Sequence, residues 1–530
     1  MAHQGLTAQF DPAQRKTSVY FYSVLVGLAS GLIIVAYRKA IHGLEGLRAL
    51  IAPIAASGAA GALFWLGLCL ILGLCTAFMV KRAPLIRGSG IPQIKAGLMR
   101  RIGMDWKREL PFKFLGGSFA LGAGLSLGRE GPSIQLGALT GAALSDLTGK
   151  HELKRYLVTA GAAAGISAAF NAPLAGVLFC IEELHRNVSP IMLTSALLAS
   201  FAANAVMWAF FGSAPVFGLA PSAVLPFGHY FTTILAVGIA AGLLGGVFNR
   251  GLLAFQSLYK RLIPNGTARI ISAFGIAAAV SMLAPILAGG GDGLIASLVE
   301  LPRPLWLLAA LLGGKLLFTL FSYASGAPGG IFLPMLALGG TLGAMTYVSF
   351  SGFGLDPVYI QNFILLGMVG FFTAVVRAPI TGAVLVTEMA GSFAHFPAFI
   401  FVSLIAALVS GIIKTKPIYD SLLAQLSPEH PSATLSHPII VHIPVQEGSI
   451  LDTCPGAQKL LPEGCILAGV EHGERELFPA KDLDIQPGDV LRIIVESDKA
   501  YRLKEQLLAL AEAAHVHEEL SVEKGAQHEH

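Results

Sequence analysis

Six stretches of this 530-residue chain, residues 19–37, 61–80, 191–211, 230–248, 270–287 and 396–413, are apolar over close to the ~20 residues a helix needs to cross a bilayer. Inside hydrocarbon every backbone N–H and C=O needs a partner within its own segment, so such stretches fold as helices. The composition agrees, being 54% hydrophobic and only 13% charged, where a soluble domain carries about a quarter charged residues. The expected class is an all-α polytopic membrane protein. Four further apolar pieces, residues 125–139, 160–170, 173–181 and 331–342, are interrupted by Gly and Pro and read as too short to span. Broken or re-entrant helices are expected where backbone lines a cavity, as in many ion carriers.

The polar start, residues 1–17, leads into a segment of full spanning length with no small-residue cleavage pattern, so a signal peptide is not expected. Arg15 and Lys16 mark a cytoplasmic N-terminus. Cys69, Cys75, Cys180, Cys454 and Cys465 form no CxxC pair and are expected to be reduced. A formal net charge of +4 is small for this length and makes no case for nucleic acid. The spans carry no HExxH and no paired His and Asp set, so neither a metal nor enzyme chemistry is expected.

The chain contains an internal repeat. AAFNAPLAGVLFCIEE, from Ala168, matches AVVRAPITGAVLVTEM, from Ala374, placing Ala172, Pro173, Gly176 and Glu182 on Ala378, Pro379, Gly382 and Glu388. Upstream, GREGPSIQLGALTGA from Gly128 matches GIFLPMLALGGTLGA from Gly330, and Lys113 and Lys315 share that offset. Duplicated halves imply a transporter-like architecture with a site where they meet. The differences are informative: Glu130 falls on Phe332 and Glu183 on Met389, so two carboxylates lack counterparts. Glu182 and Glu388 are paired and read as structural.

An anion leaving water must have several kcal/mol of solvation replaced, and full positive charges would hold it too tightly for turnover. Helix N-termini offer roughly half a charge and unpaired amides. GSGIP (88–92), GREGP (128–132) and GGIFLP (329–334) have this character, and Ser89 adds a hydroxyl; kinks or close-packing points are the alternative. Glu130 is either half of a buried ion pair with Arg129 or a carboxylate that competes with an anion. Glu183, near His185 and Arg186, is either a solvated helix end or a buried acid. Tyr419, after a basic cluster, is either an interfacial anchor or an inward hydrogen-bond donor.

GSGIP, GREGP, GxFxP and a late tyrosine, in this order, resemble the CLC family of chloride channels and chloride/proton antiporters, over roughly residues 18–426. The resemblance implies an inverted repeat, with halves at about 18–215 and 225–426, and a homodimer with one anion pathway per subunit in the inner cell membrane. It implies hydroxyls of Ser89 and Tyr419 and amides of Ile331 and Phe332 on the central chloride. Glu130 would be the external gate. A glutamate at the position of Glu183 relays protons in family antiporters, which favours exchange over the alternative, a passive voltage- or pH-gated channel. Ser89 favours chloride, since nitrate-preferring relatives tend to have Pro there. Chloride and protons would be the cargo, with no cofactor.

After Pro431 the apolar blocks shorten: HPIIVHIPV, GCILAGVEHG and GDVLRIIVES read as strands and residues 499–514 as a helix. This small α+β cytosolic domain, residues 432–512, is similar to the TrkA-C domain of regulators of potassium conductance. No nucleotide motif is visible in it, and its ligand is open. The tail, residues 513–530, reads as disordered, with His515, His517, His528 and His530 a less favoured metal set.

Overall fold

The computed structural model describes residues 12–56, 58–185, 189–213, 219, 223–226, 230–300, 303–353, 355–426, 438–453, 461–472, 475–478, 485–496 and 500–511. Residues 1–11 of the N-terminal segment, Arg186, Cys454 and the tail with its histidines lie outside these. The chain forms two units, Met1–Pro428 and Glu429–His530.

The first half of the larger unit contains α1 (Pro12–Ala56), α2 (Ala59–Arg82), α3 (Ile91–Leu98), α4 (Trp106–Gly122), α5 (Glu130–Leu147), α6 (Lys154–Phe170), α7 (Pro173–Phe179) and α8 (Pro190–Phe211). A π-helical turn, Cys180–His185, continues α7. The second half contains α9 (Phe231–Leu262), α10 (Gly266–Leu283), α11 (Asp292–Glu300), α12 (Leu305–Ala324), α13 (Phe332–Phe350), α14 (Ile360–Val376), α15 (Pro379–Ala390), α16 (Phe396–Ile412) and α17 (Ile418–Leu426).

Nine helices among the described residues are long and apolar enough to span a membrane, against six expected. The three additions are 305–324, 332–353 and 357–376. The segment at 331–342 was expected to be too short, but α13 continues to Phe350. Its spanning window is 83% buried in protein, so it needs few lipid-facing apolar side chains and hydropathy understates it. In α12 a central Lys315 breaks the apolar run. The 125–139 segment is also displaced: α5 starts at Glu130, and Leu125 to Arg129 approach it as non-helical backbone.

The halves repeat each other in contacts as well as in sequence. Gly137 and Gly161 press backbone on backbone where α5 crosses α6, and Gly339 and Gly367 do the same where α13 crosses α14. A β-carbon at Gly141 would strike the Leu157 carbonyl, and one at Gly343 the Phe363 carbonyl. Small residues permit this approach, and close packing holds helices together in lipid. Helices α6 and α14 both stop at a residue in the left-handed region, Asn171 at φ 57° and Arg377 at φ 68°, before an Ala-Pro that opens the next helix.

Reciprocal contacts join the halves. Glu182 accepts from the Ile380 and Thr381 amides in the first turn of α15, at 3.2 and 2.7 Å. Glu388 accepts from the Leu174 and Ala175 amides in the first turn of α7, at 3.0 and 2.8 Å. A contact made both ways between equivalent groups requires a two-fold relation between the halves. Both carboxylates are structural, as the repeat predicts.

The smaller unit is a four-stranded antiparallel sheet in the order β1-β4-β2-β3, from β1 (Pro438–Pro444), β2 (Cys465–His472), β3 (Arg475–Leu477) and β4 (Val490–Glu496). Its own core includes Ile443, Val470, Leu491 and Ile493 with Leu507 of a helix, Ala500–Ala511. The sequence predicted three strands; β3 has three residues, two of them charged, too few to show alternation.

Candidate functional site

Three loops lead into helices without a side-chain N-cap: Gly88–Gly90 into α3, Gly128–Arg129 into α5 and Gly329–Ile331 into α13. Uncapped first turns leave amides to be satisfied by something other than the helix. Gly90, at φ 90°, sits in the left-handed region that lets the chain turn into α3 without a β-carbon penalty. The loops are stitched by backbone. Gly88 N donates to Ala327 O at 3.2 Å and Gly329 N to Gly88 O at 3.0 Å, while Gly128 and Gly330 exchange both bonds at 2.7 Å.

Two buried lysines hold the approaches. Lys113 donates to the carbonyls of Ile86 and Gly88, at 2.9 and 2.7 Å, and Lys315 to those of Leu287 and Gly289, at 3.0 and 2.6 Å. Their shared repeat offset is thus a shared task, bracing the loop ahead of a short helix.

Ser89, Glu130, Ile331 and Phe332 are brought together by this stitching, and all are 0–1% exposed. The Ser89 hydroxyl accepts from the Ile91 amide at 3.3 Å and hydrogen-bonds with Tyr323, a partner that no sequence signal marks. The Glu130 carboxylate lies over Gly128 and faces the Leu333 amide in the first turn of α13. Arg129 Nε is 3.8 Å from Glu130 Oε1 and its Nη2 is 4.0 Å from Asp292, so the ion pair is loose and shared. Neither Glu130 oxygen makes a well-formed hydrogen bond to protein among the described residues.

Tyr419, at the start of α17, is fully buried, which removes the interfacial-anchor alternative. Its ring meets Phe179 edge-on at 6.3 Å, and Phe179 in turn meets Phe332 at 6.1 Å. Its hydroxyl has no hydrogen-bond partner among the described residues. A cavity of ≈ 210 Å³, lined by Arg87, Gln93, Lys260, Arg269 and Tyr323 among others, opens beside Gly88.

Glu183 lies on the π turn that follows α7, the helix whose Phe179 packs against Tyr419 and Phe332. It is 3% exposed, which removes the solvated-end alternative, and its Oε1 is 2.7 Å from Lys95 Nζ. Lys95 was missed in the sequence, although an isolated lysine in IPQIKAGL, six residues after Ser89, was the available signal.

The fold and these loops define a membrane-embedded carrier built from two halves, with uncapped helix N-termini, hydroxyls and a loosely paired carboxylate gathered where the halves meet. Residues 70–411 match the family described as voltage gated chloride channel, and the chain belongs to this CLC family. Residues 456–508 form a TrkA-C domain. The chain is 34% identical over 423 residues to the H(+)/Cl(-) exchange transporter ClcA of Salmonella agona (strain SL483), covering 77% of this chain and 88% of that one. To the protein of the same description from Cronobacter sakazakii (strain ATCC BAA-894) it is 36% identical over 428 residues, covering 77% and 90%. A crystal structure of a slow cyanobacterial Cl-/H+ antiporter superposes with a TM-score of 0.73 at 29% identity, covering 78% of this chain and 98% of that one. A eukaryotic CLC transporter shares the fold, with a TM-score of 0.65 at 22% identity over 92% and 89%. The chain is therefore an integral membrane protein of a transporter family.

Proposed function

We propose that this protein exchanges chloride for protons across the inner cell membrane, as a homodimer with one pathway per subunit. The observation that carries the reading is the Glu130 carboxylate against the uncapped first turn of α13, where an anion would otherwise lie. In this reading chloride is held by the Ser89 and Tyr419 hydroxyls and by the Ile331 and Phe332 amides. Partial charges of this kind replace hydration without trapping the ion. An ionised Glu130 competes for the same amides; once protonated it loses that attraction and leaves room for chloride. Protons reach Glu130 from the side of Glu183, with no counterpart for either glutamate in the second half.

Charge supports an orientation. Lys81, Arg87, Lys260 and Arg269 surround cavities where α2 and α9 end and α10 begins, and α17 lines one of them. In this reading, by the positive-inside rule, this face is cytoplasmic, with Glu183 on the cytoplasmic side and Glu130 toward the exterior. Phe201 and Trp208 of α8 and Leu404 and Leu408 of α16 are exposed apolar side chains available to a second copy.

The test is proton movement in proteoliposomes under a chloride gradient alone. Uphill proton transport is expected, and Glu130→Gln is expected to abolish it while chloride still moves. A reversal potential that ignores the pH gradient would instead make the protein a passive channel.

A further inference from the structure

Lys95, one turn into α3, is 2% exposed and donates to two carboxylates, Glu183 Oε1 and Asp420 Oδ1, each at 2.7 Å. The other two fully buried lysines among the described residues, Lys113 and Lys315, are held by backbone carbonyls, which never change protonation. Lys95 is held by groups that can. It also joins three elements that each bear a residue of the proposed pathway: α3 opens on Ser89, the π turn carries Glu183, and α17 carries Tyr419 beside Asp420. At the offset relating Lys113 to Lys315, Lys95 falls on Ser297, and Glu183 falls on Met389 at the other. The pair therefore belongs to the first half alone, whereas the structural devices occur twice.

We propose that Lys95 is a positioning residue that holds Glu183 in place and couples its protonation to α17, and so to Tyr419. The inference rests on Glu183 being the proton-accepting group on the cytoplasmic side. With Glu183 ionised, the ammonium is shared between two carboxylates drawn from different elements. When Glu183 takes a proton, Lys95 keeps one ionic partner, Asp420, and the pull on α17 changes. Among the described residues, other titratable groups near Glu183 include Tyr419 on α17, and Glu182 and His185 on its own turn. Glu182 is tied to α15, and His185 is hydrogen-bonded to Thr159 at 2.7 Å.

The experiment reconstitutes the full chain and records chloride efflux and proton uptake together across a range of internal pH. In Lys95→Met the proton-to-chloride ratio is expected to fall about fivefold or more, the lower end of ordinary site-to-site coupling, while chloride efflux persists. Lys95→Arg is expected to recover most of the ratio. Asp420→Asn is expected to keep proton uptake but flatten the dependence of chloride rate on internal pH. A Lys95→Met protein with the ratio and pH profile of the unaltered chain overturns the inference. Should Lys95→Met not be recovered as folded protein, an unchanged pH profile in Asp420→Asn overturns it. Glu183→Gln separates the two levels. If it stays coupled, the underlying reading of Glu183 fails and this inference with it; if it uncouples while Lys95→Met does not, the Lys95 inference alone fails.

Discussion

Glu182 and Glu388, 206 residues apart, each close the N-terminus of the helix whose far end leads to the other. Each carboxylate accepts two amide hydrogens that the helix itself cannot use, in a setting with little water to replace it. Glu388→Ala leaves the Leu174 and Ala175 amides unpaired and is expected to cost about 1–3 kcal/mol. Thermal unfolding in detergent should register that loss, with the proton-to-chloride ratio unchanged.

The two braced loops are expected to respond differently to the same chemical change. Lys113→Met and Lys315→Met each strand two carbonyls that accepted from a charged donor, a loss of about 1–3 kcal/mol per acceptor. Only the Lys113 loop runs directly into Ser89. Calorimetric titration with chloride should therefore weaken in Lys113→Met beyond any change in Lys315→Met, although both melt earlier.

Gly343→Ala sets a β-carbon onto the Phe363 carbonyl, and backbone cannot swing aside as a side chain can. The cost is expected to reach or exceed the upper end of the about 1–3 kcal/mol of an overpacked core. Gly313→Ala, on α12 in open space, is the control, and gains the better helix propensity of Ala, about 1 kcal/mol. Size-exclusion profiles of the two variants should diverge, with Gly343→Ala aggregated and Gly313→Ala monodisperse.

Tyr419→Phe removes a buried hydroxyl that has no protein hydrogen bond among the described residues. If that hydroxyl serves chloride, the variant keeps or gains thermal stability while chloride affinity falls several-fold, about the 1 kcal/mol of one hydrogen bond. A loss of stability with unchanged affinity would assign the hydroxyl to the fold instead.

The repeat and the three Gly-rich loops were legible because they depend on residues with few substitutes. A backbone crossing such as Gly137 on Gly161 admits only Gly, and a helix restarted after a left-handed stop takes Pro at its first position. The span of α13 was the hard one, since hydropathy measures suitability for lipid and this helix faces mostly protein, whereas α12 and α14 are as apolar as spans that were read and lay within reach of the sequence. Glu130 stood out because the second half replaces it with Phe332. The setting of Glu183 was hidden, because its ionic partner Lys95 lies 88 residues before it and Asp420, which shares that lysine, 237 after it in the chain. No periodicity connects residues at such separations, and only the fold brings them within 2.7 Å.

The reciprocal glutamate caps have a further consequence. An interaction in which each member gives what it receives is the kind two identical half-length polypeptides make when they associate, so duplication and fusion would have kept the interface and merely tethered it. Covalent continuity between α8 and α9 is then dispensable: a gene divided there and expressed as two fragments should still yield a paired, transporting assembly.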